Sequence, residues 1–168
     1  MMELIPVRED EKEILRNLLE KYDYEFSQYT LEDVNPLGLF GYSRVDHYWT
    51  DPNRWAFFIK VDGKLAGFVM VITYSESGEK TDYSMAEFCV LYKYRRQGVG
   101  KKAAFKIFER FPGVWELKYH PKNTASEKFW HSVVGEYTGN SYRHFAGGED
   151  TAYPDGSPAQ FLLFDTKK

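Results

Sequence analysis

The feature of this 168-residue chain that most constrains its fold is a junction near residue 95. Residues 83–91 are apolar at nearly every position, which indicates a strand covered on both faces. Across residues 98–111, apolar side chains recur at helical spacing, and Pro112-Gly113 then stops the pattern. A buried strand that leads into an amphipathic helix indicates a sheet with helices packed against it.

The turn between this strand and this helix has the chemistry of a diphosphate site. Its glycines, in Gly98-Val99-Gly100, let the backbone approach a ligand closely. The first turn of a helix has unpaired N–H groups, and the helix dipole adds about half a positive charge there. Basic side chains surround the turn, namely Lys93, Arg95, Arg96, Lys101 and Lys102. These features together predict that phosphates bind at the start of the helix.

Two common nucleotide motifs do not explain the glycines. A nucleoside-triphosphate loop, G-x-x-x-x-G-K-[ST], is excluded because Arg95 stands at its first glycine and Lys102 at its Ser or Thr. Residues 98–103 match the loose dinucleotide fingerprint, and Glu116 lies near its acidic position. However, a basic turn separates strand from glycines, and the roughly 65 residues that follow are too few for a run of ~30-residue βαβ units. We interpret this match as chance.

Further strands are predicted from β-rich or apolar runs at residues 4–7, 55–61, 64–73, 114–119, 136–141 and 161–165. Asp62-Gly63 between two of these runs predicts a two-residue hairpin turn, because such a turn needs positive φ at both positions.

Helices are predicted on both sides of the central strands. One spans residues 10–26 with Asp10 as its N-cap, and a short helix follows around Leu31. The capping-box pattern of residues 124–127 opens another helix, and Gly135 is expected to end it. The interleaved elements predict an α/β fold, a mixed sheet of six to seven strands with helices on both faces. Without a linker to divide the chain, we expect residues 1–168 to form one domain.

Composition excludes several classes of protein. The 22 basic and 25 acidic residues give a net charge of −3, whereas a whole-surface nucleic-acid binder has a basic excess. Because Cys89 is the only cysteine, an intramolecular disulfide and a multi-cysteine zinc site are excluded. No apolar run reaches the ~20 residues of a membrane span, and the first residues do not resemble a signal peptide. We expect a cytoplasmic protein without membrane or nucleic-acid partners.

Two residue types that often perform chemistry are interpreted as structural. A lone cysteine within an apolar strand, such as Cys89, is far more often a packing residue than an acyl-accepting nucleophile. The four histidines, His47, His120, His131 and His144, show no metal-ligand spacing. We therefore predict no metal site.

At the junction the chain resembles a known family. Residues Arg95-Arg-Gln-Gly98-Val-Gly100 resemble the R/Q-x-x-G-x-G/A signature of the GNAT superfamily of N-acetyltransferases. Upstream, residues 87–91 resemble the fourth strand of that family. Downstream, residues 123–130 followed by Gly135 resemble its N-x-x-A-x-x-x-Y…G helix. The three matches cover about 50 residues in the family's order.

The resemblance implies that acetyl-CoA binds between a fourth and a fifth strand that splay apart. Main-chain groups of Phe88, Cys89 and Val90 would then pair with the pantetheine arm. Asn123 would face the pantetheine or the acetyl end, and Trp130 would stand beside the cofactor where the family often has a tyrosine. The pyrophosphate would be held by Arg96 and by the backbone N–H groups of Gln97, Gly98, Val99, Gly100 and Lys101.

The resemblance also implies direct acetyl transfer to a primary amine in a ternary complex. An ammonium has no lone pair, so a base must take its proton before the neutral amine attacks the thioester. Glu87, the one acid in the apolar strand, is the candidate base. An indole such as that of Trp130 cannot protonate the leaving thiolate. A catalytically inactive acyl-CoA-binding module is therefore an alternative. An RNA-binding basic patch is a weaker one, because Tyr94 is the only ring outside the predicted helix that is interleaved with the basic residues.

The acceptor is not identified by the sequence. Acidic and aromatic residues are frequent in residues 22–49, where this family commonly forms its acceptor site, and they would suit a cationic amine. The alternative is that these rings pack the early helices onto the sheet. A small molecule and a peptide both remain open as acceptors, as do a monomer and a homodimer.

Overall fold

A computed structural model of the protein describes residues 1–167. It contains a seven-stranded sheet in the order β1-β2-β3-β4-β5-β7-β6, in which β4 and β5 are parallel and all other neighbours are antiparallel. The strands are β1 (Met2–Pro6), β2 (Arg54–Val61), β3 (Lys64–Ile72), β4 (Tyr83–Val90), β5 (Val114–Tyr119), β6 (Tyr142–Ala146) and β7 (Gln160–Asp165). The predicted mixed sheet of six to seven strands is confirmed.

Four α-helices cover the two faces of this sheet. They are α1 (Lys12–Thr30), α2 (His47–Thr50), α3 (Val99–Arg110) and α4 (Thr124–Thr138). Alternate residues of a strand point to opposite faces, so Phe57 packs with the cluster that includes α3 and α4, and Phe58 with the one that includes α1 and α2. This arrangement confirms the predicted helices on both faces.

The Asp62-Gly63 hairpin forms as predicted between β2 and β3. Asp62 has φ 49° and Gly63 has φ 78°, the left-handed pair that a two-residue turn needs.

The start of α1 differs from the prediction. Asp10 is not an N-cap, because it lies in a 3-10 turn over Glu9–Glu11 and its carboxylate accepts from Nε of Arg8 at 3.0 Å. The α-helix begins at Lys12, the residue that directly follows this turn. No side chain caps it, since the turn leads into the helix without a break.

The predicted short helix around Leu31 is also wrong. Helix α1 continues to Thr30, and Leu31 ends it in the left-handed conformation with φ 62°. The loop that follows is tied back to α1, because the Glu20 carboxylate accepts from the N–H groups of Phe40 and Gly41. The short helix is α2, further along the chain.

Helix α4 starts with a different cap from the one predicted. Oδ1 of Asn123 accepts from the Ser126 N–H at 3.1 Å, so Asn123 is the N-cap and Thr124 is already helical. The capping box between Thr124 and Glu127 is therefore wrong. The Glu127 N–H, which the threonine hydroxyl would have bonded, donates instead to the Asn123 carbonyl at 3.1 Å.

Gly135 does not end this helix. The helix runs to Thr138 and ends at Gly139, which has φ 63°. A Cβ on Gly135 would lie 2.8 Å from Oδ1 of Asn140, so this glycine makes room for the chain after the helix. The strand predicted over residues 136–141 is consequently wrong, and β6 begins only after it.

Within residues 1–167, no helix combines the length and the apolar character needed to cross a membrane.

Candidate active site

Strands β4 and β5 separate soon after they begin. They pair only at Tyr83 with Trp115 and at Ser84 with Glu116. On the other edge of β4, Ala86 is the extra residue of a β-bulge, because Met85 and Glu87 face consecutive residues of β3. Beyond the bulge a cavity of about 540 Å³ opens, lined by residues of α1, α3, α4, β4 and β5.

One end of this cavity is the start of α3. Gly98 precedes the helix in the left-handed conformation, and Arg96 also has positive φ, at 61°. Both line the cavity together with Gly100 and Lys101. A Cβ on Gly100 would lie 2.9 Å from the Phe129 ring, so this glycine is also needed for the approach of α4. The unpaired N–H groups of the first turn of α3 and the side chains of Arg96 and Lys101 therefore lie at the same end of the cavity.

Most residues that sequence reasoning assigned to the cofactor line this one cavity. They are Phe88, Cys89, Val90, Arg96, Gly98, Gly100, Lys101, Asn123 and Trp130. Within residues 1–167, Gln97 and Val99 do not line it. The Gln97 amide donates to the Lys93 carbonyl, and the Val99 side chain is buried in the core, which leaves their backbone N–H groups for a ligand.

The edge of β4 presents fewer main-chain groups to the gap than expected. The Leu91 N–H donates to the Ala66 carbonyl of the neighbouring chain segment, and the Cys89 carbonyl points toward Gly67 of β3. Because residues of an antiparallel strand alternate, the main chain of Phe88 and Val90 faces the gap while that of Cys89 faces β3.

Arg95 is not a free cation at the phosphate end. Its Nε donates to the Val90 carbonyl at 2.6 Å, and its second nitrogen lies 3.0 Å from both carboxylate oxygens of Glu25 on α1. Lys101 is also paired, at 2.8 Å from Glu136. The positive charge at this end is therefore smaller than a count of basic residues indicates.

Glu87 lies directly after the bulge and lines the cavity. Burial raises its pKa to about 8, and the charges of Asp23 and Glu76 act in the same direction, whereas a hydrogen bond from Tyr22 opposes them. A carboxyl that titrates near neutral pH is suited to accept a proton from a substrate.

Tyrosines surround Glu87 on the side of the sheet where α1 packs. Burial and the negative charge of Glu87 raise the pKa of Tyr22, Tyr42 and Tyr48, to about 12 for Tyr48. Burial, Glu76 and Glu87 act in the same way on the pKa of Tyr153. These hydroxyl groups therefore stay protonated at neutral pH and can donate hydrogen bonds.

The loop between β6 and β7 was not predicted to pack against the end of β5. It brings Tyr153 against the ring of His120 at the end of β5, with ring centroids 4.6 Å apart. The fully buried His120 places Nε2 3.1 Å from the Asp155 carboxylate, while its Nδ1 accepts from the Lys122 N–H. The Pro154-Asp-Gly sequence signals a turn there, but nothing local to it indicates His120 as the partner.

Trp130 and Asn123 act as structural residues as well as cavity walls. The Trp130 ring is 6% exposed and packs edge-on against Phe88, with centroids 4.9 Å apart. Because Oδ1 of Asn123 caps α4, its amide nitrogen is the group left to meet a ligand.

In the described part of the chain, no three His, Cys, Asp or Glu side chains cluster in a way that could hold a metal ion. His131 and His144 instead share the hydroxyl of Tyr119, at 2.9 and 3.3 Å.

Several solved structures share this fold. An acetyltransferase from Thermus thermophilus is 13% identical, with 98% of this chain and 97% of that one covered at a TM-score of 0.71. A chimeric spermidine N-acetyltransferase, derived in part from Vibrio cholerae, is 11% identical, with 98% and 95% covered at 0.61. A putative streptothricin acetyltransferase from Bacillus anthracis, in complex with acetyl coenzyme A, is 19% identical, with 73% and 68% covered at 0.51.

No curated protein sequence matches the chain significantly. The model of the acetyltransferase (GNAT) family does match, over residues 12–135, from the first residue of α1 to the last third of α4. This span is well over half of the chain, and it includes the bulged strand, the glycine turn and the diverging pair of strands. The chain therefore belongs to the GNAT family of acetyltransferases.

Proposed function

We propose that the protein is an acetyl-CoA-dependent N-acetyltransferase that transfers acetyl directly to a primary amine in a ternary complex. The observation that carries this proposal is a continuous cavity with the anion-binding start of α3 at one end and Glu87 at the other. The cavity would take the phosphates and the reactive end of one extended thioester. The family match and the acetyl coenzyme A bound to a structure of the same fold support this choice of acyl donor.

The cofactor's phosphates would be held at the glycine turn. Backbone N–H groups of residues 97–101 supply the hydrogen bonds there, and Arg96 supplies a cation. The pantetheine arm would lie along β4, where Phe88 and Val90 direct main-chain groups into the gap. The Trp130 ring would contact the arm from the α4 side.

The acceptor amine would enter from the α1 side of the sheet. In its carboxylate form Glu87 takes a proton from the attacking nitrogen, which then keeps the acetyl group as an amide. The Phe88 N–H, which faces the gap beside Glu87, is placed to hydrogen-bond the thioester oxygen as negative charge develops on it.

We propose a cationic amine as the acceptor. The charges of Asp23 and Glu76 raise the pKa of Glu87, and Lys118, paired with Glu76 at 2.7 Å, offsets part of this negative charge. The remaining negative field, with tyrosine rings beside it, favours an ammonium group. A protein of the same fold acts on spermidine, which is such a cation.

One observation favours a second function, an acyl-CoA-binding module without catalysis. Trp130 stands where this family often has a tyrosine, and an indole is not a useful acid. The two functions differ in turnover and agree in cofactor binding. We also propose that residues 1–168 form one domain and that it acts in the cytoplasm.

The test combines binding with turnover. Calorimetry should detect coenzyme A binding that weakens in Arg96→Ala, and free thiol should be released from acetyl-CoA with polyamines, aminoglycosides or amino acids. Binding without thiol release from any amine would favour the inactive module. Absence of coenzyme A binding would contradict both functions.

A further inference from the structure

Four side chains that have no part in the proposed reaction meet on the face of the sheet that α4 covers. Tyr119 of β5 is paired with Gln160 of β7, and Gln160 is paired with Ala146 of β6. Paired residues of neighbouring strands point to the same face, and so do residues two apart in one strand. Tyr119, Gln160 and His144 therefore share a face, and His131 of α4 contacts Tyr119 on it.

The polar atoms of these four side chains lie close together. Oη of Tyr119 is 2.9 Å from Nε2 of His131 and 3.3 Å from Nε2 of His144. The same His144 nitrogen is 2.9 Å from Oε1 of Gln160. Two imidazole nitrogens and two oxygens form a set of donors that suits Zn²⁺ and its neighbours in the first transition row.

The spacing of these atoms is close to that around a tetrahedral ion. With bonds of about 2.0–2.1 Å to the metal, neighbouring donors lie about 3.3 Å apart and the centroids of two bound imidazoles about 5.2 Å apart. The observed donor contacts are 2.9 and 3.3 Å. The rings of His131 and His144 have centroids 5.0 Å apart, with their planes at 78°. Only small side-chain shifts are therefore needed to admit an ion.

His131 is also held in an orientation that suits a metal ligand. Its Nδ1 is 2.8 Å from Oη of Tyr142 on β6. In the tautomer in which Nδ1–H donates to that oxygen, the Nε2 lone pair faces Tyr119. Histidines that bind metals commonly donate their outer N–H in this way, which fixes the tautomer and the direction of the ring.

Charge and access are compatible with a cation here. Glu127 lies one turn before His131 on the same face of α4, and both Glu127 and His144 are exposed, so an ion can enter from solvent. Burial, together with Glu127, raises the pKa of Tyr119 to about 12. The phenol thus keeps its proton until a metal displaces it, and this competition limits the affinity.

We propose that Tyr119, His131, His144 and Gln160 form a binding site for a divalent first-row metal ion of the Zn²⁺ class. The two imidazole nitrogens are the main ligands, and the phenol and amide oxygens complete a four-coordinate set. A site with four protein ligands is of the structural kind, so the ion would tie α4 to strands β5, β6 and β7 and take no part in acetyl transfer. Spacing along the chain predicted no metal site because the four ligands lie on four different elements.

The test uses the untagged wild-type chain, freed of metal by a chelator. Coenzyme A is left out, because its thiol and phosphates bind Zn²⁺ themselves. Calorimetry with Zn²⁺ should show one ion per chain with a micromolar Kd, and saturating Zn²⁺ should raise the melting temperature by several degrees. Co²⁺ bound in place of Zn²⁺ should show the strong visible absorption of a tetrahedral ion.

Two variants and a control connect this binding to the site. His131→Asn removes Nε2 but keeps a polar atom near Tyr142, and it should weaken Zn²⁺ binding by more than about tenfold. Tyr142→Phe, which removes only the partner of Nδ1, should weaken binding about tenfold. His47→Asn, at an exposed histidine on α2, is the matched control and should bind as the wild type does.

The outcomes decide between a metal site and a metal-free cluster. Absence of Zn²⁺ binding by the folded wild type would overturn the proposal, since the four side chains would then be only a hydrogen-bonded cluster of neutral groups. Equal affinities of the His131→Asn and His47→Asn variants would overturn it as well. Where His131→Asn fails to fold, His144→Asn, at an exposed position, takes its place in the comparison.

Discussion

Arg95 and Glu25 form an ion pair in which one guanidinium nitrogen lies 3.0 Å from both carboxylate oxygens. The pair joins α1, on the proposed acceptor side, to the turn before α3, on the proposed cofactor side. The same guanidinium donates to the Val90 carbonyl at the end of β4. One side chain thereby connects both halves of the proposed site.

Arg95→Ala should destabilise the protein and weaken cofactor binding. Both partners are about one-third exposed, so the ion pair contributes only about 1 kcal/mol, and the lost bond to Val90 adds roughly another 1 kcal/mol. Urea denaturation measures the change in free energy of unfolding. Arg8→Ala, which removes an exposed pair with Asp10, is the control and should show no measurable change. Equal stability of the two variants would contradict the structural role of Arg95.

The rate of acetyl transfer should depend on the protonation of Glu87. Its pKa is raised to about 8, so the carboxylate that accepts the proton is the minor form below pH 8. After correction for the fraction of acceptor that is unprotonated, we expect kcat/KM to rise about tenfold per pH unit below pH 8 and to level off above it. The acceptor amine also titrates, so the profile must be measured with two amines of different pKa, and the limb near pH 8 should not move.

Glu87→Gln should abolish the rise of kcat/KM toward pH 8 and lower kcat roughly 100-fold or more. Glu79→Gln is the matched control, because Glu79 pairs with Arg143 on the surface and does not line the cavity. An unchanged pH profile in Glu87→Gln would show that another group accepts the proton.

The two glycines at the start of α3 should respond differently to substitution. Gly98 has positive φ, and a Cβ added there would have no atom within 4 Å, so Gly98→Ala costs only backbone strain of about 1 kcal/mol, and Gly98→Asn less. Gly100→Ala instead meets the Phe129 ring at 2.9 Å, and overpacking of this kind costs about 1–3 kcal/mol.

Calorimetry with coenzyme A extends this comparison. Gly100→Ala should lower the affinity, because displacement of α4 changes the width of the cavity, while Gly139→Ala, which strains the backbone at a positive φ outside the cavity, should bind nearly as tightly as the wild type. Similar affinities for the two variants would show that the distance between α3 and α4 does not control cofactor binding.

Asp155→Asn should loosen the loop between β6 and β7, which packs Tyr153 against His120. Desolvation raises the pKa of Asp155, but hydrogen bonds from Ser157, His120 and Lys122 outweigh it and hold the pKa below its usual range. A depressed carboxyl pKa adds stability above the unfolded pKa of about 3.9, and this stability is lost as pH falls through the folded pKa.

The melting temperature of Asp155→Asn should therefore lie several degrees below that of the wild type at pH 7, and the difference should shrink below about pH 4. Asp150→Asn, on an exposed part of the same loop, is the control. A pH-independent difference would show that the charge of Asp155 contributes nothing to the effect.

The glycine turn at the proposed cofactor end was predictable from the sequence because its signals are local. A strand, a basic turn and Gly98 at a helix start are consecutive in the chain, and the glycine needs no distant partner to adopt positive φ. The Asp62-Gly63 hairpin was predictable for the same reason. The ends of α1 and α4 were not, because the chain that follows each helix, at Leu31 and at Asn140, sets where it stops.

The sequence by itself determined the order of strands and helices, the glycine turn proposed to bind phosphates and Glu87 as the one acid of a buried strand, since each depends on residues close in the chain. Only the tertiary structure decided how far β4 and β5 separate, that Tyr22 of α1 lines the same cavity as Glu87, and that Asp155 holds His120 from 35 residues away. Those relationships depend on packing between elements far apart in sequence, and no local pattern specifies them.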